Sequence, residues 1–208
     1  MIKIHHLNHS RSQRILWLLE EMALDYEIIS YERNAETRLA PDTLKAIHPL
    51  GKSPVLEDAG VKIAESAAIV DYLIRTYGKG DFGPSIGDAN YEAYAEWLHY
   101  AEGSAILPFM LGLYVGRLGA AGAPLGPRIK SEVANHLGYV AQSLGDRSFL
   151  VGDGLTGADV MMVFVLEAAK VSGALAHFPG LEKYLDRMQA RPAYKRAVER
   201  GGPYQLGS

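Results

Sequence analysis

The sequence contains no cysteine in its 208 residues. That excludes disulfides, thiolate metal sites and a cysteine nucleophile, and it fits a reducing compartment. No apolar run reaches membrane-spanning length. The opening Met1-Ile2-Lys3-Ile4-His5-His6 lacks the apolar core of a secretory signal. A basic excess is also missing. The formal net charge is −3, with ten basic against eleven acidic residues over 1–79 and eleven against thirteen beyond. Neither half has the charge of a nucleic-acid binder. Apolar residues make up 48% and charged residues 22%, an ordinary balance for a soluble globular protein. The expectation is a cytoplasmic protein with no membrane or nucleic-acid partner.

The pattern of the chain changes near its middle. Residues 2–7 alternate weakly and predict a strand, and Arg11 to Met22 predicts a helix with Ile15, Leu16, Leu18, Leu19 and Met22 on one broad face. Tyr26 to Tyr31 predicts a second strand. Pro41 to Ile47 predicts a short helix opened by its proline. A strand after Pro54, a turn at Gly60, a strand over Val61 to Ala64 and a helix from Ser66 to Tyr77 complete the series. The order βαβ then αββα makes a first domain over residues 1–79. A Gly/Pro-rich linker over 80–88 follows. Residues 89–208 show no lasting strand alternation and predict an all-helical domain. Its helices fall over 89–115 with a kink at Pro108, Pro127 to Leu144, Leu155 to Ser172, and two short ones split by Arg191-Pro192.

Chemistry concentrates between Leu50 and Ser66. Pro54 opens a short apolar run, where a proline suits a tight turn and can adopt the cis form. Such a turn leaves the backbone of Val55 free to pair with an extended peptide. Ser66 is an N-cap candidate, and a helix start attracts carboxylates. With Lys52 as a nearby cation, the stretch suits a small extended peptide that carries carboxylates. Ser10-Arg11-Ser12-Gln13 has capping-box spacing. Ser10 is then either a plain cap or a hydroxyl that holds a thiolate or other anion at a helix start.

Other motifs read as structural. Gly152-Asp153-Gly154-Leu155-Thr156-Gly157 matches G-x-G-x-x-G, but its neighbours are helical and no acid lies about twenty residues on. Thr156-Gly157-Ala158-Asp159 is better taken as a capping box, with Leu155 and Val160 as its staple. His5, His6 and His9 do not make a metal site, since adjacent strand residues face opposite sides and at least three placed ligands are needed. Tyr94, Trp97, Tyr100, Phe109, Met110 and Tyr114 recur at helical spacing and read mainly as core.

Taken together, Ser10-x-x-x-Arg14, Pro49-Leu50-Gly51-Lys52-Ser53-Pro54-Val55-Leu56, Glu65-Ser66-x-x-Ile69-x-x-Tyr72-Leu73 and Thr156-x-x-Asp159 resemble the cytosolic glutathione transferases. The tract from His6 to Leu19 is similar to their serine-type, theta-like bacterial and fungal group. The resemblance implies a thioredoxin-like first domain, an all-helical second domain and a homodimer, with glutathione as co-substrate and no metal. It implies that Pro54 is cis and that Val55 pairs with the cysteinyl part of glutathione. Glu65 and Ser66 would hold the γ-glutamyl end and Lys52 the glycyl carboxylate. Ser10 would hydrogen-bond the thiolate, with Asn8 and Ser12 as alternative partners. Met110, Tyr114 and Tyr204 would line the electrophile pocket. His5 and His6 stand where tyrosine-type members carry Tyr, and His48 stands where Asn is frequent. The activity implied is transfer of glutathione to small hydrophobic electrophiles. The alternatives are a glutathione-dependent isomerase or peroxidase on the same site, or a non-enzymatic binding or dimerisation module.

Overall fold

The structure is a computed structural model that describes residues 1–202, 204 and 205. The chain divides into two compact units. One comprises Met1–Asp81 with the described residues from Gln189 to Gln205, and the other comprises Phe82–Met188.

The first unit is built on a mixed four-stranded sheet of order β2-β1-β3-β4. Its strands are β1 (Ile2–Leu7), β2 (Tyr26–Tyr31), β3 (Val55–Asp58) and β4 (Val61–Ala64). β1 and β2 are parallel, as a helical crossover between them requires. That crossover is α1 (Ser12–Glu21). β3 is antiparallel to both β1 and β4, and α2 (Ser66–Tyr77) follows β4. This is the thioredoxin-like βαβ-αββα arrangement. Ile4, Leu56, Ile69 and Leu73 are fully buried around the sheet. At the far end of β3, Asp58 accepts hydrogen bonds from Tyr72 and Tyr77 and so ties α2 to that hairpin. The segment Asp42–Ala46 is a 3₁₀ turn, not the regular helix expected there.

α1 is buried on more than one side. Every residue from Ser12 to Leu19 is inaccessible, including the polar Ser12, Gln13 and Arg14. Such burial is more than one apolar face on a sheet requires. Its cause is α8 (Pro192–Gly201), which packs on α1. The sequence assigns this last helix to the helical domain, whereas its contacts join it to the first unit. Ala193, Tyr194 and Ala197 turn inward, and Tyr194 meets Trp17 edge-on at 5.5 Å. Arg196 and Arg200, one turn apart, both reach Glu20 at 2.8 Å, while Arg191 pairs with Glu21. The Arg200 guanidinium also lies 3.8 Å over the Tyr26 ring, a favourable cation–π geometry.

The second unit is helical. α3 (Tyr91–Tyr100) runs through a π turn at Ala101–Ala105 into α4 (Leu107–Gly116). The sequence predicts one kinked helix here. Pro108 has no N–H for the helical ladder, and the wide turn just before it takes up the irregularity. α5 (Gly126–Leu144), α6 (Gly157–Val171) and α7 (Pro179–Gln189) complete the set. α6 is almost wholly buried and starts from the expected capping box. The Asp159 carboxylate accepts from Thr156 N–H at 2.8 Å, Leu150 N–H at 2.9 Å and Tyr184 O–H at 2.7 Å. Burial still pushes the Asp159 carboxyl upward, and the bonds from Tyr184, Leu150 and Thr156 only partly offset it. With no strand before it, the Gly152–Gly157 stretch is a helix entry and not a nucleotide loop.

Burial pushes the Glu20 carboxyl upward, but bonds from Arg196, Arg200 and Tyr26 outweigh it and hold it below its ordinary 4.5. The unfolded chain therefore takes up this proton first as pH falls. The Glu20 contribution is complete above about pH 4.5 and is lost below it. Glu20→Gln is expected to lower unfolding stability by about 1–2 kcal/mol at neutral pH. Urea titrations of both proteins should show that difference shrinking as pH falls well below 4.5.

Candidate functional site at the end of the sheet

The strand directions bring separate parts of the sequence to one place. β1 runs up to Leu7, β3 starts opposite His5, and β4 ends at Ala64 opposite Val55. The loop after β1, the entry to β3 and the start of α2 therefore share one end of the sheet. Ser53 ties them together. Its hydroxyl donates to the His5 carbonyl at 2.7 Å and accepts from Leu7 N–H at 3.2 Å. The Ser53–Pro54 peptide bond is cis, as expected.

Two sequence expectations change here. Val55 lies inside the sheet, opposite His5 on one side and Ala64 on the other. Its backbone faces occupied strands and has no open edge. Ser53 lies two residues beyond the last rung, where β4 has already turned away into α2. Val55 thus has a strand partner on each side, whereas Ser53 lies outside the ladder. Similarly, Ser66 is the first residue of α2, not its cap. The cap position belongs to Glu65, whose side chain makes no capping bond. Glu65 adopts φ +70°, ψ +123°, a conformation that strains any residue with a Cβ. Its side chain is exposed, while Ser66 is buried.

The serines behave differently from a capping box. α1 starts at Ser12, and no side chain caps it. Gln13, expected to reach back to Ser10, is buried against Gly201. Ser10 and Ser12 instead form a chain with His6. The His6 Nε2 lies 3.0 Å from the Gly201 carbonyl, which only accepts, so Nε2 carries the proton. In the neutral ring Nδ1 is then an acceptor, and the Ser12 hydroxyl donates to it at 2.8 Å. The Leu7 carbonyl at 3.4 Å is the weaker alternative. Ser10 in turn donates to Ser12 Oγ at 2.8 Å, and its own oxygen accepts from Ser12 N–H at 3.3 Å. Ser12 is 0% exposed, His6 3% and Ser10 7%, so Ser10 is the outermost member. Burial lowers the His6 pKa from 6.5, the Gly201 bond opposes this, and His9 adds to the lowering. His6 is thus neutral near pH 7.

Asn8 has another task. Its Oδ1 accepts from Arg33 N–H at 2.9 Å, which anchors the loop after β2. Lys52 is exposed. It follows Gly51 at φ +57°, where a Cβ would stand 2.8 Å from the Lys45 side chain. Met110 and Tyr114 are carried by α4 of the second unit, while Tyr204 belongs to the first. His5 points away from His6, toward the Tyr31 hydroxyl at 2.9 Å and Glu57 at 3.6 Å. Among the described residues no three His, Asp or Glu side chains gather as a metal site. His6 and Ser53 are the site residues that the sequence does not single out. The available signals are a serine directly before Pro54 and a His-His pair, one of which must face inward on a strand.

The family model for the glutathione S-transferase N-terminal domain matches residues 1–75, and that for the C-terminal domain matches residues 127–199. Glutathione S-transferase 3 of Schizosaccharomyces pombe is 36% identical over 96% of this chain and 88% of its own length. Glutathione S-transferase 1 of Saccharomyces cerevisiae is 32% identical over 96% of this chain and 95% of its own. A crystal structure of a glutathione S-transferase from Actinobacillus pleuropneumoniae superposes with a TM-score of 0.88. It is 36% identical and covers 97% of this chain and 93% of that one. The chain belongs to the glutathione S-transferase family.

The strain at Glu65 has a measurable consequence. Glu65→Gly should raise unfolding stability by about 1 kcal/mol, since relief of backbone strain exceeds the added chain entropy. Glu65→Ala keeps the Cβ and should bring no such gain. Urea unfolding of both variants checks this.

Proposed function

We propose that this chain is a glutathione transferase that activates the glutathione thiol for attack on small hydrophobic electrophiles. The observation that carries the reading is the meeting of Ser10, Ser53 and the start of α2 at one end of the sheet. Glutathione is a short extended peptide with two carboxylates and a central thiol. The Ser53 backbone is assigned to its cysteinyl part, in the place the sequence gives to Val55, with Pro54 shaping the turn. The strained Glu65 and the first N–H groups of α2, from Ser66 on, are assigned to the γ-glutamyl end, where a helix start favours a carboxylate. Lys52 is assigned to the glycyl carboxylate. Ser10 is assigned to the thiolate. Ser12 is sealed behind it, and Asn8 is committed to Arg33.

The energies are adequate. Moving a thiol from about pKa 8.5 down by about 2 units takes about 2.7 kcal/mol. A hydrogen bond to a charged acceptor contributes about 1.5–3 kcal/mol and a helix start about 0.3–2 kcal/mol. The thiolate then attacks an electrophilic carbon held beside it. Tyr204, in the same unit as Ser10, remains the residue proposed to meet that electrophile. The cytoplasm is the proposed compartment, in keeping with the absence of cysteine.

Ser10→Ala should lower kcat by about 100-fold, the scale of losing one donor to a developing anion, and leave glutathione affinity nearly unchanged. Glu65→Ala should weaken glutathione by about tenfold, or about 1.4 kcal/mol. Steady-state kinetics and calorimetry separate the two. Unchanged turnover in Ser10→Ala would remove the serine from the mechanism.

A homodimer through α4 is proposed with it. Leu107, Leu111 and Tyr114, at i, i+4 and i+7, are 55%, 46% and 57% exposed. Such an apolar stripe favours a partner surface. Tyr114 is therefore assigned to this face and not to the electrophile. Leu111→Glu should convert a dimer mass to a monomer mass by size exclusion with light scattering. A monomeric wild-type protein would refute the assignment.

A further inference from the structure

We infer that His6, through Ser12 and Ser10, receives the proton that the glutathione thiol gives up. This rests on the glutathione reading above and concerns only how that site activates the thiol. Each hydrogen bond of the chain has a set direction. Gly201 fixes the His6 proton on Nε2, Nδ1 accepts from Ser12, and Ser12 accepts from Ser10. Every donor in the resting chain points inward. The outward side of Ser10 Oγ then offers a lone pair and no proton. That oxygen is suited to accept from a thiol and unsuited to stabilise a thiolate.

One proton shift along the chain reverses this. The S–H bond breaks with its electron pair left on sulfur, and the proton joins Ser10 Oγ. The original Ser10 proton passes to Ser12, and that of Ser12 passes to His6 Nδ1. The products are a thiolate and a His6 imidazolium. Ser10 now donates to sulfur, Ser12 to Ser10, His6 Nδ1 to Ser12, and Nε2–H still to the Gly201 carbonyl. All donors point outward, and no oxygen pair at 2.8 Å is left without a proton between them. When the thiolate becomes a thioether, the imidazolium proton leaves to water or the leaving group by the same route.

The surroundings of His6 suit a temporary proton holder. Burial keeps it neutral at rest, so Nδ1 is available. The groups that hydrogen-bond its ring are uncharged, Ser12 from α1 and the Gly201 carbonyl from α8, and Ser30 stands opposite it in the β2 register. His9, on the loop, is a titratable group whose charge bears on it. Burial disfavours the imidazolium, and the new thiolate at the other end of the chain offsets that cost. His6 does not touch the thiol and is a positioning residue, so its role must be read from protons and not from activity alone.

The test is a proton count on the wild-type protein. Glutathione is mixed with it at about pH 7, below the free-thiol pKa of about 8.5, in weak buffer with an indicator dye. Thiolate formation is followed by ultraviolet absorbance and proton release by the dye. The expected result is thiolate with well under one proton released per thiolate. The His6 imidazole nitrogens should at the same time shift to the doubly protonated position by nitrogen NMR. Ser12→Ala, which leaves Ser10 and its backbone partner in place, should raise the thiolate pKa by about 1 unit toward that of free glutathione. His6→Gln should do the same. One proton released per thiolate in the wild type, or an unmoved thiolate pKa in Ser12→Ala, would overturn the relay and leave the transferase reading intact. A wild type that neither binds glutathione nor forms thiolate would refute both.

Discussion

The end of β1 is held from two sides, and the site depends on both. On one side the Ser53 hydroxyl bridges the His5 carbonyl and the Leu7 amide, which fixes the loop around Pro54 to the strand. On the other side the His6 ring joins the strand to α1 through Ser12 and to α8 through Gly201. Each bond alone is worth about 1 kcal/mol. Together they place a backbone edge and a hydroxyl at one strand end, on elements whose other residues are buried. Sites carried on packed elements are more sharply defined than sites on free loops.

This arrangement explains the weight of polar burial in α1. A helix covering one face of a sheet would be expected to keep its opposite face wet. Here α8 covers that face, and Glu20 and Glu21 receive three arginines from it. The same docking brings the Gly201 carbonyl to His6. Gly201 has no Cβ, and one placed there would stand 2.7 Å from both Gln13 and Leu16. A side chain there would have to displace the tips of Gln13 and Leu16, so glycine is the residue that allows this approach without rearrangement. A helix at the end of the chain thereby sets the hydrogen-bond direction at a site near its start.

Forces of different kinds separate clearly across the site. Strain is concentrated at Glu65, where the chain must leave β4 and enter α2 abruptly enough to vacate the strand edge beside Ser53. Such strain persists only where surrounding packing enforces it, and the buried Ser66, Ile69 and Val70 supply that packing. The buried serines and His6 orient protons, and the exposed Lys52 and Glu65 meet the solvent side.

Much of the fold was legible in the sequence because it rests on local rules. Period-two and helical spacing marked the strands and helices, a proline marked the turn before β3, and Thr156 with Asp159 marked the start of α6. The family was legible from motifs that keep their spacing. The capping roles of Ser10 and Ser66 were not, because a cap depends on which φ/ψ the chain adopts at that residue, and packing decided it one residue away or not at all. The position of Ser53 past the last rung was hidden for the same reason, since only strand register shows where the ladder ends. The membership of α8 and the role of His6 depend on partners 195 residues apart in the His6–Gly201 bond. Sequence determined the elements, the turn and the residue types at the site. Tertiary structure alone decided which backbone edge is open and which way each buried proton points, because both are set by long-range packing that no local pattern encodes.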